Sequence, residues 1–366
     1  SFLFTPLSVL TTHGGFGCVL GCTEVQSVRR ISPANLHKDE TIMAKKAIQS
    51  DSERHRTTGF ARPADMDSGP GTPAQTVHDG DTVNVRLDGN LAVRLLGIDT
   101  PEISFSLPEG KFAGLEDPRW AQFLTDPFAD RWGPMSTPVP QRLRAFLSAK
   151  VGAEAAATHY EHAVASREAF RALVEQDMQI MQQTPATFTY YMNFGFEVTD
   201  GYGRLLCMLN RNQPSATVPT PRPPSYNLRM LERGRAFPYF IWPNINPWDR
   251  PETVEEAVIP PGKARELAEN DRELKTARAA VRQARQQHLG IFDMLRPLLL
   301  EPFELRNLSR RVAASRYLID LTSDSDTLLH PLNYPEVPFP EDRLWIPGAY
   351  VPLFQKSGWK VQAEPA

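Results

Sequence analysis

Two short stretches concentrate the side chains able to do chemistry. One reads His78-Asp79-Gly80-Asp81-Thr82-Val83, the other Arg94-Leu95-Leu96-Gly97-Ile98-Asp99-Thr100-Pro101-Glu102. Two carboxylates and a backbone carbonyl can hold a hard divalent cation, because such ions take oxygen ligands. An arginine beside them can grip a phosphate through two N–H donors, and unlike lysine it stays charged throughout. Glu102 is placed to sit over such a metal and activate water. Together these are the parts of a phosphodiester-cleaving site. Taken singly, each acid has a plainer reading. Asp-Gly is a common turn, and Thr100-Pro101-Glu102 looks like a helix start with Thr as N-cap and Pro in the first position.

The elements that must position these residues follow from hydrophobic periodicity. Val83, Val85 and Leu87 alternate with polar residues, Asp88-Gly89 signals a tight turn, and Leu91, Val93 and Leu95 alternate again. Residues 82–98 therefore read as a β-hairpin. With that turn, position 81 pairs close to position 96, and Asp81, Arg94 and Asp99 gather at one strand end. Residues 103–140 read as loop, rich in Pro and aromatics. Helices follow near 140–157 and 160–183, the second with Phe170, Leu173, Val174 and Met181 on its buried face. Residues 188–198 and 205–210 read as a strand pair joined through Asp200-Gly201-Tyr202-Gly203-Arg204. A short helix over 226–234 stops at Gly234, and a long one over 261–289 carries Leu267, Leu274, Val281 and Ile291 on one stripe.

The order of these pieces closely resembles the staphylococcal nuclease (thermonuclease) family. The resemblance rests on Asp79-Gly80-Asp81-Thr82-Val83, on Arg94 through Glu102, and on Asp200 through Arg204. It continues into Asn227 through Gly234 and the basic helix ending Leu289-Gly290-Ile291-Phe292, covering about 75–102 and 186–292. It implies an α+β protein built on an OB-type five-stranded β-barrel with packed helices. It implies Ca²⁺ held by Asp81, Asp99 and the Thr100 carbonyl, with Asp79 near the metal. It further implies Glu102 as general base, Arg94 and Arg204 on the phosphate, and Tyr202 beside the bound nucleotide. The implied partner is DNA or RNA. Two departures stand out. Gly201 replaces a lysine usual in the family, and Phe240 and Trp242, with Tyr239 adjacent, stand where two pocket tyrosines are usual. Tyr239, Phe240 and Trp242 are therefore the expected aromatic platform for substrate.

The resemblance divides the 366 residues into three parts. Residues 1–74 read as a leader, disordered or loosely attached. Residues 75–292 form the nuclease-like domain, with a helical insertion at about 103–185 expected beside the cleft. Residues 293–366 form a Pro-rich C-terminal extension. The 33 prolines, about twice ordinary usage, predict much irregular chain. A net charge of -3 requires any nucleic-acid contact to be a local basic patch. Lys275, Arg278, Arg282 and Arg285 share one helix face and offer such a footprint, although acidic residues on the same helix favour a solvated face. His159 and His162 lack a third ligand in register and read as packing residues rather than zinc ligands. Cys207 on its strand reads as a small buried apolar group.

No apolar run reaches the length of a membrane span. The first 22 residues are apolar and end in Val-Leu-Gly-Cys, but carry no starting Met and no Lys or Arg before Arg29. They make only a weak export signal, and location and protein partners stay open. A different class of function also fits this sequence: a nuclease-like module without catalysis, serving as a nucleic-acid- or protein-binding scaffold.

Overall fold

A computed structural model describes residues 47–51, 56–59, 61–65, 69–77 and 82–365. The strands that carry the site are, in chain order, β1 (Val93–Leu95), β2 (Gly97–Asp99), β3 (Tyr190–Thr199), β4 (Leu205–Arg211), β5 (Phe237–Ile241), β6 (Tyr317–Asp320) and β7 (Arg343–Ile346). In one three-stranded sheet β4 lies between β1, which runs parallel to it, and β3, which runs antiparallel. A four-stranded sheet has the order β6-β7-β5-β2, with β5 parallel to β7 and antiparallel to β2.

The chain passes from one sheet to the other between β1 and β2. Leu96 donates its N–H to the Cys207 carbonyl at 3.0 Å, the last bond to the first sheet. Gly97 follows with φ at +73°, a conformation a side chain would disfavour, and turns the strand into the second sheet. This corner sets Arg94 and Asp99 on either side of a bend.

The fold is mixed α+β, as the sequence implies. Among the described residues, however, the ladders form these separate sheets and do not close into a five-stranded barrel. The predicted 82–98 hairpin is also corrected. Val85–Leu87 pairs with Ala61–Pro63, while β1 takes β4 as its partner. The alternation that suggested a hairpin has no core beneath it: Val83 and Val85 are 53% and 52% exposed. Residues 1–46 lie outside the described residues, so most of the leader reading does too. In the described part of the 1–74 stretch Ile48–Asp51 pairs with Arg56–Gly59.

The insertion is helical, as expected, but its first part is more ordered than the loop reading allowed. Ser104–Ser106 pairs with Phe112–Gly114, and α1 (Pro118–Thr125) begins at Asp117, whose carboxylate accepts the Arg119 N–H. Then come α2 (Gln141–Ser148) and the long α3 (Ala155–Ile180). Asp177 on α3 accepts from Arg211 of β4 at 3.0 Å and from Arg229 at 2.5 Å, all three side chains buried. This triad fixes the insertion to α4 (Tyr226–Glu232) and to the first sheet. The helix predicted over 261–289 is two helices, α5 (Ala264–Asn270) and α6 (Arg272–Gln286). Asp271 between them has an extended backbone and caps α6 by accepting the Leu274 N–H at 2.8 Å. Leu274, Val281 and Ile291 are buried, as their stripe predicts.

The 293–366 stretch supplies β6, β7 and α7 (Pro302–Ser309). One core joins it to the insertion and to β5. Trp120 and Phe123 of α1, Tyr239 of β5, Phe303 of α7 and Trp345 of β7 belong to the same buried cluster. Tyr239 stacks on Phe303 at 5.7 Å and lies 5.5 Å from Trp345. Truncating such a core aromatic to alanine costs on the order of 3–5 kcal/mol. The core that supports β5 therefore draws on distant parts of the chain.

Candidate active site

Asp99 closes β2 and is 3% exposed. A carboxylate taken out of water this far needs partners, and it has two. Arg94 Nη2 donates to Oδ1 at 3.0 Å; Arg306 Nη1 donates to Oδ1 at 3.0 Å and Nη2 to Oδ2 at 2.7 Å. Burial alone would raise the Asp99 pKa, but the charges and hydrogen bonds of Arg306 and Arg94 outweigh it and hold the carboxyl below its ordinary value. Arg306 is itself largely buried, and the Asp99 and Glu102 charges raise its pKa against the effect of burial.

Glu102 stands one short turn beyond. Its Oε1 accepts from Arg306 Nη1 at 2.6 Å, so one guanidinium spans both carboxylates. Its backbone N–H donates to His159 Nε2 of α3 at 2.9 Å. His159 is fully buried, and among the described residues its Nδ1 has no partner. Accepting at Nε2 requires that nitrogen to be unprotonated. Burial first, then the nearby Arg306 charge, push the His159 pKa down to about 3, which keeps the ring neutral. The insertion thus holds the loop that carries Glu102.

Arg204 lies just before β4. Its Nε and Nη2 both contact Asp200 Oδ2, at 2.7 and 2.6 Å, and its guanidinium lies 5.3 Å from the Tyr202 ring centre. Asp200 also accepts the backbone N–H groups of Tyr202 and Arg204. These bonds overcome burial and lower its pKa.

Arg94, Asp99, Thr100, Glu102 and Arg204 line a single cleft of about 320 Å³, with Ala163, Ser166 and Phe170 of α3 forming its far wall. The structure therefore brings together the predicted catalytic residues, and it sets the insertion beside them. Asp79 and Asp81 lie outside the described residues. Tyr202 and Tyr239 line an adjoining groove of about 950 Å³. Phe240 and Trp242 do not, and their assignment to the substrate platform is corrected. Successive side chains of a strand point to opposite faces, so Tyr239 and Ile241 face the groove while Phe240 is buried beneath. Trp242 packs against Tyr350 and Phe354 and donates its indole N–H to the Ala257 carbonyl at 2.9 Å.

The remaining expectations also find places. Arg278 and Arg282 pair with Asp342 at 2.7 and 2.8 Å, and Arg285 pairs with Glu341. Much of the basic face of α6 thus holds the C-terminal stretch. His162 contacts the Arg296 carbonyl at 2.8 Å, and Cys207 is buried. Sequence reasoning missed Arg306 and the contact of His159. The only local signal for Arg306 is a helix start, Glu301-Pro302, with Pro in the first turn.

Fitness for a cation can be judged on the donors present. Asp99, Glu102 and the Thr100 carbonyl offer only oxygen, the chemistry a hard divalent ion takes. Both Asp99 oxygens accept guanidinium N–H groups, so a cation reaching both must displace Arg306. Among the described residues no cluster of three His, Cys, Asp or Glu side chains is poised for a metal.

The fold and cleft define a mixed α+β protein with carboxylates and arginines converging beneath a long helix. No family model matches the chain. Over 155 residues, 42% of its length, the chain is 26% identical to Endonuclease YhcR of Bacillus subtilis (strain 168). That match spans 10% of the length of the relative. Among the described residues no helix is long and apolar enough to cross a membrane.

Proposed function

We propose that this chain is a nuclease that hydrolyses phosphodiester bonds in DNA or RNA, of the staphylococcal nuclease type. The observation that carries the reading is the convergence of Arg94, Asp99, Glu102 and Arg204 on one cleft. The similarity to an endonuclease, though partial, agrees with it. The bend at Leu96–Gly97, which joins the two sheets, is proposed to be the corner of an OB-type arrangement that the ladders of the described residues leave open.

In this mechanism Glu102 takes a proton from the water as the water oxygen bonds to phosphorus, and the P–O bond to one ester oxygen breaks, that oxygen leaving as an alcohol with a proton from solvent. Arg306 orients the Glu102 carboxylate at Oε1, and His159 holds the Glu102 backbone N–H. Arg94 and Arg204 bind the phosphate and stabilise the second negative charge that develops as water adds. Each guanidinium is pre-set by a carboxylate, Asp99 for Arg94 and Asp200 for Arg204, so little reorganisation is required. A Ca²⁺ ion on Asp81, Asp99 and the Thr100 carbonyl would supply Lewis-acid polarisation of the phosphate when bound.

Digestion of plasmid DNA and of RNA, with Ca²⁺ and then with chelator, tests this reading. Chelator-sensitive cleavage of either polymer is expected, with much less activity in Mg²⁺, whose stricter octahedron suits the site poorly. Equal turnover in Mg²⁺ would contradict the proposed metal site.

One observation favours a second reading, a binding scaffold without catalysis: Asp99 is fully engaged by Arg94 and Arg306. Nucleic-acid binding with no cleavage under any divalent ion would select it.

A further inference from the structure

The groove beside the cleft is lined by five arginines: Arg94, Arg204, Arg306, Arg310 and Arg316. Arg94, Arg204 and Arg306 are committed to Asp99, Asp200 and the Asp99–Glu102 pair. Arg310 and Arg316 are held differently. Arg310 Nη2 donates to the Tyr202 hydroxyl at 3.0 Å, and the guanidinium lies 4.9 Å from the Phe105 ring centre. Arg316 Nη1 donates to the Tyr239 hydroxyl at 3.0 Å, while its buried Nε has no partner among the described residues. Among the described residues neither meets a carboxylate at ion-pair distance. Two positive charges are thus held on phenols, which do not neutralise them.

Exposed aromatic rings share the groove with these charges. Phe112, from the insertion, is 69% exposed and Tyr202 is 56% exposed, and both line the groove. Exposed aromatic faces together with guanidiniums in one groove suit a strand whose bases are unpaired, because only unstacked bases can offer their faces to a ring. A duplex would present phosphates but no base faces.

We propose that this groove is a subsite for single-stranded polynucleotide running on from the scissile phosphate. Arg310 and Arg316 take flanking phosphates, and Phe112 stacks on a base, in addition to the Tyr202 that the resemblance already places beside the nucleotide. The inference rests on the cleft binding a phosphodiester, but it places substrate contacts on the C-terminal stretch and the insertion.

The test is binding by full-length protein in chelator, read by fluorescence anisotropy. The probes are labelled oligo-dT and oligo-rU of about twelve nucleotides, within the span one such module covers, with a dinucleotide and a matching duplex for comparison. The parent should bind an oligonucleotide far more tightly than the dinucleotide, and more tightly than the duplex. Arg310→Ala with Arg316→Ala should weaken oligonucleotide binding by about tenfold or more and lower the salt slope by about 1.4, two single-strand phosphates. Phe112→Ala should weaken it about fivefold or more. Dinucleotide binding should fall far less than oligonucleotide binding in all of them. Arg310→Ala alone, at an exposed position, serves if the double variant fails to fold.

Parent-like oligonucleotide affinity and salt slope in these variants would overturn the subsite, as would preference for duplex or failure to bind either single strand. A separate digestion assay distinguishes the two readings. Oligonucleotide binding that depends on Arg310 and Arg316, without cleavage in Ca²⁺, removes the nuclease reading and keeps the groove. Cleavage with unaffected binding does the reverse.

Discussion

Arg306 and Asp99 lie 207 positions apart in the chain and meet through paired N–H···O contacts of 3.0 and 2.7 Å. The same guanidinium reaches Glu102 at 2.6 Å. A residue of the C-terminal stretch therefore organises both carboxylates of the cleft. This has consequences for stability, metal binding and catalysis.

Arg306→Ala leaves Asp99 buried with Arg94 as its remaining partner. Breaking one side of a buried ion pair costs about 3–5 kcal/mol, and the low end applies where one partner stays. Urea denaturation should show this loss. Added Ca²⁺ should raise the melting temperature more in the variant than in the parent, because the cation no longer competes with the guanidinium for Asp99. An equal rise in both would show that Arg306 and the cation do not share a site.

Glu102→Gln keeps the reach of the side chain and removes its capacity to take a proton. Turnover should fall by about two to four orders of magnitude, the range for a positioned base, with KM little changed. Parent-level turnover would place water activation elsewhere.

Asp177→Ala removes the shared partner of Arg211 and Arg229, which are both buried. Two guanidiniums left without a carboxylate should cost about 3–5 kcal/mol. Equilibrium denaturation of the purified variant measures it, and a loss below about 1 kcal/mol would mean that water enters and solvates them.

His159 gives the stability a pH dependence with a definite sign. Its pKa falls from 6.5 to about 3 on folding, so between those values the unfolded chain carries a proton that the folded chain lacks. Its effect is absent above pH 6.5 and destabilises the fold as pH drops below it. The loss is about 2 kcal/mol between pH 7 and 5. His159→Gln, whose amide oxygen can still accept the Glu102 N–H, should remove that difference. Denaturation of parent and variant at both pH values decides it; parallel losses would mean that His159 titrates normally.

The sequence alone determined that Arg94, Asp99, Thr100 and Glu102 would lie close together at the cleft. Arg94, Asp99, Thr100 and Glu102 fall within nine consecutive positions, so backbone geometry keeps them near one another in any fold that makes this turn. Gly97 and Gly234 mark backbone positions with positive φ, a demand written in the residue type itself. The stripe of α6 and the β3–β4 pair are local periodicities, and they survive. What the tertiary structure decided is everything that depends on a partner distant in sequence. The 82–98 alternation could not reveal that β1 would take β4 beside it, because alternation names a face and not its neighbour. Phe240 and Tyr239 are equally aromatic and both buried, and only the sheet's orientation turns Tyr239 toward the groove and Phe240 away from it. The charge on Arg306 says nothing of its destination. Loop closure over 207 positions and a shared aromatic core bring it to Asp99, where a buried carboxylate must have a cation or lose its charge.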